Sequence, residues 1–122
     1  VTTAGYPNMF QLVGPNTGLG HNSIIFMIEA QVHYILEMMK VMHKQKADFV
    51  DVRADAQKAF NDQVQKNLEG TVWSSGCTSW YQQDGGKNFA LWPGYTWRFW
   101  LETRKVKARD YIFGKAKKSV SA

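Results

Sequence analysis

Between Asn22 and Gln45 apolar side chains recur at Ile24, Ile28, Val32, Ile35, Met39 and Met42. Steps of three and four residues line one face of an α-helix, so a long helix is predicted from Asn22 or Ser23, both good N-cap residues, to about Gln45. Ile25, Phe26 and Met27 fill the rest of the circumference at its start. That end is therefore expected to lie deep in the protein, and the Lys-rich far end is not. A second amphipathic helix is predicted over residues 54–68, with Phe60, Val64 and Leu68 on its apolar face and Gly70 as the C-cap. A short extended connection, 48–52, joins the two. Upstream, the apolar run Met9 to Val13 ends at Gly14-Pro15 and reads as a buried strand. From Thr71 to Trp92 the pattern turns to β, with Asp84-Gly85-Gly86-Lys87 as a hairpin turn. A third helix, about 95–105, sets Trp97, Trp100 and Leu101 on one face. The expected class is α+β: a strand, a Gly-rich loop, a long helix, a second amphipathic helix, a β-hairpin and a third helix.

Composition agrees with one packed domain. The chain has 122 residues, 44% of them hydrophobic and 14% aromatic, which excludes a disordered or low-complexity class. Its net charge of +5 is unevenly placed: from Arg104 onward seven basic residues face one acid, Asp110, and the rest of the chain is nearly neutral. Residues 114–122 are accordingly expected to be a disordered basic tail. A single cysteine, Cys77, rules out an internal disulfide framework and fits a reducing compartment, with the cytoplasm as the default. The stretch from Asn22 to Met42 is long enough to cross a membrane, but Glu29, Glu37 and Lys40 interrupt it, so it reads as a helix outside the bilayer. The first residue is Val1, with no initiator Met and no signal-type apolar core. The sequence reads as though it starts mid-protein.

Few residues carry an obvious chemistry. Gly14, Gly18 and Gly20 have the wrong spacing for a dinucleotide fingerprint or a phosphate P-loop. His21, His33 and His43 form no ligand pattern, so no metal site is expected, and Cys77 between Gly76 and Thr78 reads as a small buried residue. The informative piece is the loop from Gly14 to Ser23. A strand, a glycine loop and an apolar helix start place backbone N–H groups and the positive end of a helix dipole in a buried location. Such a place suits an electron-rich group, or is an ordinary tight strand-to-helix turn.

The residues of this loop and its surroundings resemble a known family. Tyr6-Pro7-Asn8-Met9-Phe10, then Gly14-Pro15-Asn16-Thr17-Gly18-Leu19-Gly20-His21-Asn22-Ser23, then Ile28-Glu29-Ala30-Gln31, are similar to the C-terminal third of class B flavoprotein monooxygenases. These are the flavin-containing and Baeyer-Villiger enzymes, and the likeness is greatest to the cyclohexanone and 4-hydroxyacetophenone monooxygenase branch. A second block, Cys77-Thr78-Ser79-Trp80-Tyr81 with Gly86-Lys87-Asn88 and Trp92-Pro93-Gly94, follows in the same order. The resemblance covers nearly the whole chain up to Tyr111.

The resemblance implies that residues 1–46 return to an FAD domain and that 47–113 form C-terminal helices and a hairpin. It implies that Gly14, Asn16, Asn22, Ser23 and Ile24 surround the flavin, with His21 and Ile24 toward the substrate. It also sets Trp80 against NADP on a mobile loop, with Lys87 close to the cofactor. Two Gly-x-Gly-x-x-Gly motifs and a Phe-x-Gly-x-x-x-His signature belong to such enzymes and are absent here. The chain is therefore expected to be a C-terminal fragment, its partners being the missing FAD and NADPH domains and a small ketone or heteroatom substrate. The fragment alone should hold no cofactor and catalyse nothing. Two other readings stay open: a module that stacks nucleic-acid bases on Trp80, Tyr81, Phe89 and Trp92 beside the basic tail, and a homo-oligomerisation fragment.

Overall fold

The computed structural model describes residues 1–18, 23–69 and 90–117. Helix α1 runs Ile24–Lys44, strand β1 Phe49–Val52, helix α2 Ala54–Leu68, helix α3 Thr96–Glu102, and strand β2 Tyr111–Gly114, the last entered through a 3-10 turn at Ala108–Asp110. The predicted long helix, the 48–52 extension and the second helix are all present. The third helix is shorter than predicted: the Thr103 hydroxyl donates back to the Phe99 carbonyl at 2.9 Å where α3 stops. The hairpin predicted around 84–87 and the Gly70 cap lie outside the described residues.

The short sheet is an antiparallel pair, Phe49 opposite Gly114 and Val52 opposite Tyr111. A Cβ at position 114 would run into the Phe49 ring, so a larger residue there requires that ring to move. The expected tail thus begins inside a strand. Its first residues are tied down further by the Ala116 N–H donating to Asp48 Oδ2 at 3.1 Å.

No strand forms over Met9 to Val13, which corrects the sequence reading. The segment is irregular, Gln11, Leu12 and Val13 are exposed, and Val13 has φ 53. A run of apolar residues is stable as a strand only beside a partner, and the described residues give it none. The N-terminal segment is held instead by Asn8, in the left-handed region at φ 60. Asn8 exchanges hydrogen bonds with Val50 at 2.9 and 3.0 Å and donates to the Asp48 carbonyl at 3.1 Å. Its side chain does the work of a paired strand residue along the free edge of β1.

The core gathers Met27 and Ala30 of α1, Val64 and Leu68 of α2, Trp92, and Phe99 of α3, with Ile24 packed against it. The Trp92 and Phe99 rings meet edge to face, 5.1 Å between centroids at 79°. This arrangement departs from the predicted faces. On α1 the buried positions are Met27, Ala30, Gln31 and Met38, while Ile25, Val32, Leu36 and Met39 stand exposed. At 100° per residue the two sets lie about 150° apart, so α1 is apolar on two sides and this chain covers one of them. Ile25, expected deep, is 60% exposed. Phe60 is likewise exposed, and on α3 it is Phe99 that turns inward while Trp97, Trp100 and Leu101 face out.

Helix α1 is tied to β2 by Tyr34 and Tyr111, whose hydroxyls lie 2.6 Å apart above a cleft of about 210 Å³. Burial, followed by the Tyr111 phenol and Asp110, pushes the Tyr34 phenol well above the ordinary tyrosine value. A raised phenol favours the neutral form in the fold. The stability it contributes is complete below about pH 10 and falls as the pH rises beyond the ordinary tyrosine value. Urea unfolding between pH 7 and 11 should show this alkaline loss, and Tyr34→Phe should flatten it at a cost of about 1 kcal/mol at neutral pH. Equal alkaline slopes in both proteins would remove Tyr34 as the cause.

Candidate functional site

The loop into α1 is built from a short run of unusual backbone. Val13 and Asn16 both take left-handed φ, 53 and 55. Asparagine tolerates that region; a β-branched valine does not, and persists there only when its surroundings hold it. Between them the Thr17 hydroxyl donates to the Gly14 carbonyl at 2.5 Å and closes the turn. Asn16 is buried, and its Nδ2 donates to the Leu91 carbonyl at 3.0 Å.

Gly18 then pairs in parallel with Leu91, its N–H donating to the Ala90 carbonyl at 2.8 Å and its carbonyl accepting the Trp92 N–H at 2.9 Å. A Cβ on Gly18 would sit 2.6 Å from the Ala90 carbonyl oxygen, so only glycine permits this approach. The loop is therefore stitched to the segment that leads into α3, although more than seventy residues separate them in sequence.

At the far side of the loop Ser23 is the N-cap of α1, exposed and in extended conformation. Ile24 is half-buried and packs on the core cluster. No acidic residue occupies the first turn of α1, so the positive end of its dipole has no carboxylate from that turn beside it. Among the expected site residues the structure thus brings Gly14 and Asn16 into one loop, with Ser23 and Ile24 at the helix start. His21, Asn22, Trp80 and Lys87 lie outside the described residues.

Three participants were missed by sequence reasoning: Thr17, Leu91 and Gln31. Gln31 is fully buried on α1, and its Oε1 accepts the Val13 N–H at 2.9 Å. Its Nε2 has no hydrogen-bond partner among the described residues. The available signal was a glutamine on a helix turn among Met27, Ala30 and Met38, where an amide is costly without partners.

Other chemistry is not assembled. The described residues hold no group of three or more His, Cys, Asp or Glu able to share a metal ion. No described helix is long and apolar enough to cross a membrane. Trp92, expected on a base-stacking surface in the nucleic-acid reading, is 7% exposed and lies in the core. That removes one of the aromatics that reading relied on. Trp80, Tyr81 and Phe89 lie outside the described residues.

A first helical turn without acidic residues, reached through a loop whose backbone tolerates close approach, fits an electron-rich partner such as the polar edge of a flavin ring system.

Comparison with protein-family models finds no match. Among curated proteins, a Baeyer-Villiger monooxygenase of Pseudomonas aeruginosa is 48% identical over 112 residues, covering 90% of this chain and 21% of that protein. A Baeyer-Villiger monooxygenase of Streptomyces coelicolor is 43% identical over 90% of this chain and 22% of its own length. An FAD-binding monooxygenase of Aspergillus niger is 36% identical over 92% of the chain and 19% of its length. The chain therefore spans about a fifth of the curated relatives it matches. Among solved structures, an oxidized steroid monooxygenase bound to NADP superposes with a TM-score of 0.77 over 94% of this chain and 22% of that one, at 16% identity. Identity that low speaks for the fold alone, and it is the fold of one segment in a much longer monooxygenase. Sequence and fold agree that this chain belongs to the flavin monooxygenases of the Baeyer-Villiger kind, as a C-terminal part of such a protein.

Proposed function

We propose that the protein to which this segment belongs is an FAD- and NADPH-dependent monooxygenase that inserts one oxygen atom of O2 into a ketone or transfers it to a heteroatom. For a ketone the balance is ketone, O2, NADPH and a proton giving ester or lactone, NADP+ and water. The observation that carries the reading is 48% identity to a Baeyer-Villiger monooxygenase across 90% of the chain. When bound, the flavin supplies the two-electron transfer from NADPH and the activation of O2. The residues of this chain bind and orient. Gly14, Asn16, Asn22, Ser23 and Ile24 would hold the flavin, and the N–H groups opening α1 would favour the negative charge it gains on reduction. His21 and Ile24 would contact the substrate, and Trp80 and Lys87 would serve the nicotinamide cofactor.

The partners of this segment are then the FAD and NADPH regions of the same protein. A single cysteine supports a reducing, cytoplasmic setting.

The test is purification of the full-length protein. It should carry a flavin absorbance band, oxidise NADPH faster when a cyclic ketone is added, and yield a product one oxygen atom heavier. The isolated 122-residue chain should be colourless and inactive. Full-length protein that binds no flavin, or an isolated chain that keeps a flavin band through gel filtration, would overturn the proposal.

A further inference from the structure

The buried amide of Gln31 serves the loop more than it serves the core. It is a costly group to bury, because one end is satisfied by the Val13 N–H at 2.9 Å and the other end has no partner among the described residues. The bond it does make falls on the residue with the least comfortable backbone in the loop, a valine at φ 53. The amide orientation is fixed by that bond: turned over, Nε2 would point a donor at a donor.

Val13 is followed directly by Gly14, whose carbonyl receives Thr17, and then by Asn16 and Gly18, which bridge to Leu91 and its neighbours. The loop therefore starts under Gln31 and ends at Ser23, two points of one helix about 12 Å apart along its axis. Residues 13–18 are thus held by Gln31 of α1 at one end and by the Leu91 segment at the other.

We infer that Gln31 is a positioning residue: its Oε1 holds Val13 in the left-handed conformation and so sets the shape of the Gly14–Gly18 loop that the flavin meets. The inference rests on the flavoprotein reading above. It separates two effects that a packing residue would couple. Methionine has the length of glutamine and brings no unpaired donor, so Gln31→Met loses the clamp while relieving the orphaned N–H group.

The experiment uses the full-length protein. Gln31→Met should leave the thermal midpoint of the flavin-free protein within a few degrees of the parent and weaken FAD binding about tenfold or more, measured by flavin fluorescence titration. Hydrogen exchange of the peptide containing Val13 should accelerate about tenfold. Adding Val13→Gly should restore FAD affinity, because glycine adopts the left-handed conformation unaided. Unchanged FAD affinity in Gln31→Met overturns the inference. So does a fall in stability and affinity together that Val13→Gly does not rescue, since that is the behaviour of a packing residue. Should the parent protein bind no FAD, the flavoprotein reading fails. The exchange measurement still decides the clamp, and unchanged exchange at Val13 would overturn it.

Discussion

Trp92→Ala is expected to unfold the chain, or to bring it to the edge of unfolding at 25 °C. Truncating a buried tryptophan typically costs about 3 to 5 kcal/mol, and a domain of this size has a total stability of about 5 to 15 kcal/mol. Trp92 is 7% exposed and lies where three elements converge: Met27 of α1, Val64 and Leu68 of α2, and Phe99 of α3, which it meets edge to face. Its indole N–H reaches the Tyr95 carbonyl at 3.4 Å and its backbone N–H holds the Gly18 carbonyl at 2.9 Å. The ring loss should therefore weaken the core and loosen the strap that closes the loop into α1. Trp97→Ala is the control: that ring is 57% exposed and stacks on Tyr95, so its loss should cost less than about 1 kcal/mol. Circular dichroism with urea unfolding reads both. Similar losses in the two variants would mean that the Trp92 cluster is not the centre of the core.

The isolated chain is expected to self-associate through the uncovered side of α1. Ile25, Val32, Leu36 and Met39 are spaced seven, four and three residues apart and form an exposed apolar stripe opposite the buried face. Continuous apolar surface on that scale marks an interface, and without the remainder of the protein the nearest apolar partner is a second copy. The basic end of the chain, net +6 from Arg104 onward, opposes this at low salt. Screening shortens that repulsion to roughly 10 Å at 0.1 M, so association should strengthen as salt is added. Sedimentation equilibrium should give a mass above 14.0 kDa that rises with salt. Leu36→Glu with Met39→Glu should return it to the monomer value with helix content unchanged, because both side chains already point to solvent. A wild-type chain that stays monomeric at high concentration and moderate salt would show that the stripe needs no cover.

Much of the local structure was legible because it is set by neighbours in sequence. Helix α2 occupies Ala54–Leu68, and α1 begins directly after Ser23, since hydrophobic periodicity acts within a turn or two. The Gly14 to Ser23 stretch stood out as a special loop on composition alone, and the family resemblance rested on it. Gln31 did not stand out. Its role depends on the Val13 N–H arriving from the other side of the loop, and no local pattern marks a residue that is polar at one end and needed at that end only.

The sequence by itself determined where the helices lie, that the loop leading into the first of them is unusual, and which family the chain joins. Those properties reside in short-range spacing and in the identity of contiguous residues. Which side of α1 is covered, whether Met9 to Val13 pairs as a strand, and which aromatic of α3 turns inward were decided only by the tertiary structure. A helix that is apolar on two sides has no intrinsic inside. The choice falls to the place where Trp92, α2 and α3 can bury the most surface at once, so Met27 and Phe99 are covered while Val32 and Trp97 are left facing out.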